Sequence, residues 1–60
     1  MIRVGSLVEI SASAHSFFNR LKGSIGIVIV SDGEALFPFQ VLINETIYYF
    51  LESELEEVPA

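Results

Sequence analysis

The pattern of apolar and polar residues predicts two short β-strands within the first 30 residues of the chain. Leu7–Ile10 is the first, because Val8 and Ile10 share one face and Glu9 lies between them on the other. The run at residues 23–30 is β-branched almost throughout, and the turn signal Asp32-Gly33 follows it. This run is the strongest strand prediction in the sequence.

Two more strands are predicted at Phe39–Ile43 and Thr46–Phe50. Asn44-Glu45 separates them, and Asn tolerates the left-handed backbone that a tight hairpin turn needs. Pro38 cannot donate a hydrogen bond to a sheet, so we place it before the third strand. These signals predict a β-hairpin.

Residues 11–22 predict a long loop that contains one helical turn. Small and hydroxylated residues come first, and Phe17, Phe18 and Leu21 then follow at roughly helical spacing. The segment is too short for an independent helix, so we expect its aromatic side chains to dock on the body of the domain. Ser16 is a candidate N-cap for the turn.

The tail, residues 51–58, fits two structures. Leu51, Leu55 and Val58 form a helical stripe among glutamates, but a single turn followed by a short strand over residues 55–58 fits equally well. We favour the turn and strand. Five strands in 60 residues then predict one all-β domain over residues 1–60, and a small closed or partly open barrel leaves the fewest unpaired edges.

Two glycine-containing motifs and the chain's ending carry a family resemblance. Gly5-x-x-Val8-x-Ile10 followed by Gly23-x-x-Gly26-x-Val28 resembles the KOW-type pattern. The ending, Tyr49-Phe50 followed by Glu54-Leu55-Glu56-Glu57-Val58, resembles the turn and final strand of SH3-like barrels. The layout is similar to the photosystem I peripheral subunit, to the variable chain of ferredoxin–thioredoxin reductase and to small bacteriophage proteins. The resemblance implies a five-stranded SH3-like barrel with a long first loop, and a phage-type interaction or accessory module.

Charge narrows the range of partners. The chain has 3 basic and 8 acidic residues, a net charge of −5, and no cysteine. Nucleic acids and anionic membranes are bound mainly through Lys and Arg, so both are disfavoured as partners. No apolar stretch approaches the roughly 20 residues of a membrane span, and the lack of cysteine favours a cytoplasmic setting, the host cytoplasm for a phage protein.

No catalytic, metal or cofactor site is predicted. His15, the nearby serines and Asp32 are the elements of a nucleophilic triad, but no nucleophile-turn motif accompanies them, so we interpret His15 as a solvated loop residue. Asp32-Gly33-Glu34 is only a fragment of a calcium loop. In an extended tail, Glu52, Glu54 and Glu56 would share one solvated face.

The aromatic residues are the candidate binding residues. Strand alternation places Tyr48 and Phe50 on one face, and Ile47, Tyr49 and Leu51 on the other. The second strand is also apolar on both faces, with Ile25, Ile27 and Ile29 opposite Val28 and Val30. The predicted anchors for a protein partner or a second copy are Phe17, Phe18, Phe37, Tyr48 and Tyr49.

This apolar excess has two explanations. In the first, the long loop covers the outer face and bending of the second strand brings both of its faces to the core. In the second, a residual apolar patch meets a partner. The alternatives to a general interaction module are an accessory subunit of a redox or photosynthetic complex and a KOW-type module associated with RNA or transcription.

Overall fold

The computed structural model describes residues 2–59, which form five strands and two short 3-10 turns. The strands are β1 (Leu7–Ile10), β2 (Ile25–Ser31), β3 (Phe39–Ile43), β4 (Thr46–Phe50) and β5 (Leu55–Glu57). The turns are η1 (Ser16–Phe18), in the first loop, and η2 (Glu52–Glu54), between β4 and β5. All neighbouring strands are antiparallel, in the order β4-β3-β2-β1-β5, in one open sheet.

The all-β class and the strand positions predicted from the sequence are therefore confirmed. The helical turn in the first loop is present as η1, and the tail forms a turn and then a strand rather than a helix. The second strand begins at Ile25 instead of residue 23, because Gly23 has a φ of +87° and cannot belong to an extended strand.

One face of the sheet, here called the inner face, carries the core. The buried apolar side chains are Ile2, Val8, Ile10, Ala14, Val28, Phe39, Val41, Ile43, Phe50 and Leu55. Phe18 and Leu21 of the first loop and Tyr48 of β4 pack against this cluster. The first loop therefore docks on the domain as predicted, but it covers the inner face and not the outer one.

The hairpin between β3 and β4 has a two-residue turn. Asn44 and Glu45 both have positive φ, at 49° and 69°, and Ile43 pairs with Thr46 across the turn. Two successive residues with positive φ are typical of a type I′ turn, whose twist matches that of the strands it joins. The register of β4 against β3 is thus fixed from the turn onward.

An irregularity in β2 overturns one prediction about its two faces. Val28 pairs with Val41, whereas Val30 pairs with Gln40, the next residue along β3. The register therefore shifts between Val28 and Val30, and Ile29 is an extra residue in β2 that pairs with no residue of β3. Such a bulge reverses the alternation. Val30 therefore lies on the outer face, 36% exposed, instead of sharing the inner face with Val28 as the simple alternation predicted.

The outer face of the sheet remains apolar and uncovered. Ile25 and Ile27 are 48% and 38% exposed, so bending of β2 does not bring both of its faces to the core. Four side chains, here called the outer stripe, are neighbours across four strands: Leu7, Ile27, Leu42 and Ile47. All four are more than one third exposed, so the loop-cover explanation is wrong for this face.

Gly26 is where two strands and the core approach most closely. It is buried opposite Val8, and a Cβ built on it would lie 2.6 Å from Cγ1 of Val41, 2.6 Å from Cγ1 of Ile43 and 2.8 Å from the backbone oxygen of Leu42. Because one of the neighbours is backbone, side-chain rotation alone does not make room.

We expect Gly26→Ala to destabilise the fold by about 3 kcal/mol, since overpacking a β-branched core forces strands apart. The matched control is Gly33→Ala, because a Cβ at Gly33 meets nothing within 4 Å. Urea denaturation of both variants measures the difference. Equal stabilities for the two variants would contradict the packing described here.

Candidate functional site

The five predicted anchor residues lie together in one groove. Phe17, Phe18, Phe37, Tyr48 and Tyr49 all line it, and the remaining lining residues are His15, Ile47, Leu51 and Glu54. We call this the aromatic groove. Its volume is about 660 Å³, which is within the range of ordinary binding clefts.

One wall of the groove is a chain of aromatic contacts that leads outward from the core. The Phe18 ring lies 4.6 Å from that of the buried Phe50, and Phe17 meets Phe18 edge-on at 5.1 Å. Phe18 also meets Tyr48 edge-on at 6.3 Å. Phe17 itself is 79% exposed. The core thus holds Phe18 in place, and Phe18 packs against the largely exposed ring of Phe17.

The opposite side of the groove is the edge of the sheet. Ile47, Tyr48 and Tyr49 are consecutive in β4, so Tyr48 faces the inner side while its two neighbours face the outer side. Because all three line the same groove, the groove extends around the edge of β4 instead of lying on one face. Ile47 is 47% exposed and Tyr49 is 53% exposed.

His15 shapes the loop that carries the aromatic wall. Its Nδ1 accepts a hydrogen bond from the backbone N–H of Phe17 at 3.0 Å, so His15 is the N-cap of η1. The prediction of Ser16 as the cap was wrong, because Ser16 is already the first residue of the turn. Since Nδ1 accepts here, a neutral His15 carries its proton on Nε2.

Glu54 joins the loop to the end of β4. Its Oε2 accepts from the backbone N–H of His15 at 2.9 Å, and its Oε1 accepts from the backbone N–H of Leu51 at 2.8 Å. The backbone N–H of Glu54 donates to the carbonyl oxygen of Leu51 at 3.0 Å. One carboxylate therefore fixes the position of the loop that carries the aromatic wall relative to the end of β4.

Burial of Glu54 corrects the prediction that it belongs to a solvated acidic face. Glu54 is 5% exposed, whereas Glu52 and Glu56 are exposed as expected. The sequence does contain a signal for this role. A Glu three residues after the N-cap of a helical turn can accept a hydrogen bond from the backbone N–H of the N-cap residue. Leu51 and Glu54 have this spacing.

Other bonds hold the same loop in place. Ser11 N–H donates to the Glu54 carbonyl oxygen at 2.9 Å, and the Ser13 hydroxyl donates to the Ser53 carbonyl oxygen at 3.0 Å. The Asp32 carboxylate accepts from the N–H of Glu34, within its own turn. Ser11, Ser13, His15 and Asp32 thus make separate local contacts, and no side-chain hydrogen bond within residues 2–59 joins His15 to a serine or to Asp32.

Within residues 2–59, no Lys or Arg lines the groove. None of Arg3, Arg20 and Lys22 lies among its lining residues, and Glu54 is the one acid there. Two further acids flank β4 in sequence, Glu45 before it and Glu52 after Leu51, and both are exposed. The groove is therefore apolar inside and lies beside negative charge.

Residues 2–59 contain no cluster of His, Cys, Asp or Glu side chains that could hold a metal ion. Within the same range, no helix has the length and apolar character to cross a membrane.

Comparison with protein-family models, curated proteins and solved structures found no match to this chain.

We expect Glu54→Ala to cost about 2–3 kcal/mol in unfolding free energy, because the N–H groups of His15 and Leu51 both lose a charged acceptor. Glu54→Gln should cost less, since one amide oxygen still accepts one of these bonds. Glu52→Ala is the matched control in the same turn and should change stability by less than about 0.5 kcal/mol. Equal costs at positions 52 and 54, measured by urea denaturation, would refute the role of Glu54.

Proposed function

We propose that this protein is a non-catalytic protein-binding module whose aromatic groove receives apolar side chains of a partner protein. The observation that supports this proposal most directly is the exposure of large rings in one built groove. Phe17, Phe37 and Tyr49 are 79%, 45% and 53% exposed, yet the contacts of Phe18 and Glu54 hold their surroundings in a defined shape. Exposed aromatic anchors on a rigid support are typical of interaction surfaces.

We further propose that the sheet is curled into an SH3-like barrel. The bulge in β2 and the close approach at Gly26 both favour strong coiling of the sheet. The overall extents of 27 × 25 × 21 Å also fit a curled sheet better than a flat one. In such a barrel the first loop closes one end, and the groove lies where the loop meets β4.

Single-stranded RNA is the other occupant that exposed rings suggest, because bases stack on aromatic side chains. The charge of the protein disfavours it. RNA binding also needs cations along the phosphate backbone, and no Lys or Arg lines the groove. Tight binding of an unstructured RNA oligonucleotide at physiological salt would favour the KOW-type function instead.

The test of the proposal begins with selection of binding peptides from a randomised library on the immobilised protein. We expect Tyr49→Ser and Phe17→Ala each to weaken binding of the selected peptides at least about tenfold, as the loss of an anchor ring does. Both rings are more than half exposed, so the unfolding free energy should change by less than about 1 kcal/mol.

Leu36→Ser is the matched control. Leu36 is 83% exposed and apolar, but it does not line the groove, so its loss should leave peptide binding unchanged. Titration calorimetry gives the affinities, and urea denaturation shows that each variant is folded. The proposal fails when no peptide is enriched, or when the selected peptides bind the Tyr49 and Phe17 variants as well as the parent protein.

A further inference from the structure

The open edge of β4 has unused backbone hydrogen-bonding groups. Residues next to a two-residue type I′ turn form a hydrogen-bonded pair, and such pairs then alternate with non-hydrogen-bonded pairs. Counting from the Ile43–Thr46 pair, Tyr48 and Phe50 also bond to β3, whereas Ile47 and Tyr49 do not. The N–H and C=O groups of Ile47 and Tyr49 therefore point away from the sheet, toward the groove.

Nothing in the described part of the chain occupies these groups. Within residues 2–59, β4 pairs only with β3, and no backbone hydrogen bond from a loop or turn reaches Ile47 or Tyr49. Leu51 is the next residue in the alternation after Ile47 and Tyr49. Its N–H is not open, because it donates to the carboxylate of Glu54. The open stretch is thus short and ends where η2 begins.

The two edges of the sheet differ in their protection against pairing. The edge strand β5 has three residues, Leu55–Glu57, of which two are glutamates. Short length and charge are the usual means of preventing strand addition. The other edge strand, β4, has five residues, Thr46–Phe50, and none of them is charged. Of the two sheet edges within residues 2–59, β4 is the one with the properties of an edge that accepts another strand.

Charge indicates the composition of the incoming strand. The side chains beside the open groups are apolar, with Ile47 and Tyr49 on the outer side and Tyr48 on the inner side. Exposed acids flank this stretch at Glu45 and Glu52. A segment that complements both features is apolar in its middle and carries Lys or Arg on either side.

We propose that the occupant of the aromatic groove is an extended segment of a partner protein that pairs with β4 as a sixth strand, with apolar residues opposite Ile47, Tyr48 and Tyr49 and basic residues flanking them. This inference rests on the proposed function and specifies its mode of binding. Backbone bonds to Ile47 and Tyr49 supply affinity, and the groove selects side chains. The outward side chains of the added strand extend the outer stripe beyond Ile47.

A second copy of the chain is a weaker candidate for the same edge. Antiparallel pairing of two β4 strands about Tyr48 uses the same backbone groups, but it brings Glu45 of one copy toward Leu51 and Glu52 of the other. Each copy has a net charge of −5 and offers no basic residue from β4. Like charges at both ends oppose this pairing, whereas a basic partner is attracted.

Hydrogen exchange of the backbone amides, measured by NMR on the full chain with a library-selected peptide, tests the mode of binding. In the free protein we expect the amides of Tyr48 and Phe50 to be protected and those of Ile47 and Tyr49 to exchange freely. Saturation with the peptide should protect the amides of Ile47 and Tyr49. Peptide binding without this protection overturns strand pairing.

A proline substitution tests the same groups by affinity. Ile47→Pro removes one outward N–H without removing a bond to β3, so an edge strand can accept it. Ile47→Ala is the matched control, because it shortens the side chain and keeps the N–H. We expect the proline variant to bind the peptide at least about tenfold more weakly than the alanine variant. Equal affinities for the two folded variants contradict the proposal, and if the proline variant does not fold, amide protection decides.

The charge of the partner segment is tested with a pair of double variants. The double variant with Glu45→Gln and Glu52→Gln should bind the peptide about fivefold more weakly than the parent protein at low salt. Glu9→Gln with Glu56→Gln removes the same charge from a cross-strand pair on β1 and β5 and should have little effect. Selected peptides without Lys or Arg, or equal effects of the two double variants, overturn the assignment of a basic partner.

Three outcomes separate this inference from the function on which it rests. In the first, changing Tyr49 or Phe17 abolishes peptide binding, but the amides of Ile47 and Tyr49 still exchange freely when the parent protein is saturated with peptide. This outcome supports the interaction module and overturns the proposal of a sixth strand. Absence of any groove-dependent peptide overturns both proposals. Protection of the Ile47 and Tyr49 amides in the protein alone, together with a dimer in analytical ultracentrifugation, assigns the edge to a second copy and overturns the basic partner.

Discussion

The carboxylate of Glu54 is the contact on which the arrangement of the first loop and the groove depends. A loop of this length has many conformations, and ordering it costs conformational entropy that its small residues cannot recover by burial alone. The N–H groups of His15 and Leu51 both donate to the Glu54 carboxylate, which ties the first loop to the end of β4. With the loop held there, Ala14 enters the core and Phe18 packs on Phe50. The aromatic wall is therefore a consequence of one buried acid as well as of apolar attraction.

Small size explains why the apolar surface is divided unequally between the two faces of the sheet. A chain of 60 residues has one sheet and one long loop, and that loop can cover only one face. It covers the inner face, where Val8, Val41 and Phe50 have no measurable exposure. The outer stripe and the β4 edge then have no cover within residues 2–59. The apolar excess visible in the sequence is thus real, and its location follows from which face the loop occupies.

The sequence predicted the strands well because their signals are local. Alternation around Glu9, the Asn44-Glu45 turn and the β-branched run each specify a structure within a few residues. It failed where a long-range contact decides the outcome. The bulge that turns Val30 outward depends on pairing with β3, and the burial of Glu54 depends on a loop nearly forty residues away, at His15. The groove was predicted as a set of rings, but its position at a sheet edge required the register of β4.

A sheet edge beside exposed aromatic rings has consequences that neither feature has alone. Exposed rings on a flat surface attract many apolar partners, and an unprotected edge attracts many extended chains, so each alone favours non-specific association. Here the open edge is limited to Ile47 and Tyr49. The turn between β3 and β4 ends it on one side, and the bond from the Leu51 N–H to Glu54 ends it on the other. The acids Glu45 and Glu52 flank the same stretch and repel segments that are apolar but acidic. In the proposed mode of binding, restricted length and charge at the ends therefore convert an aggregation-prone edge into a selective one.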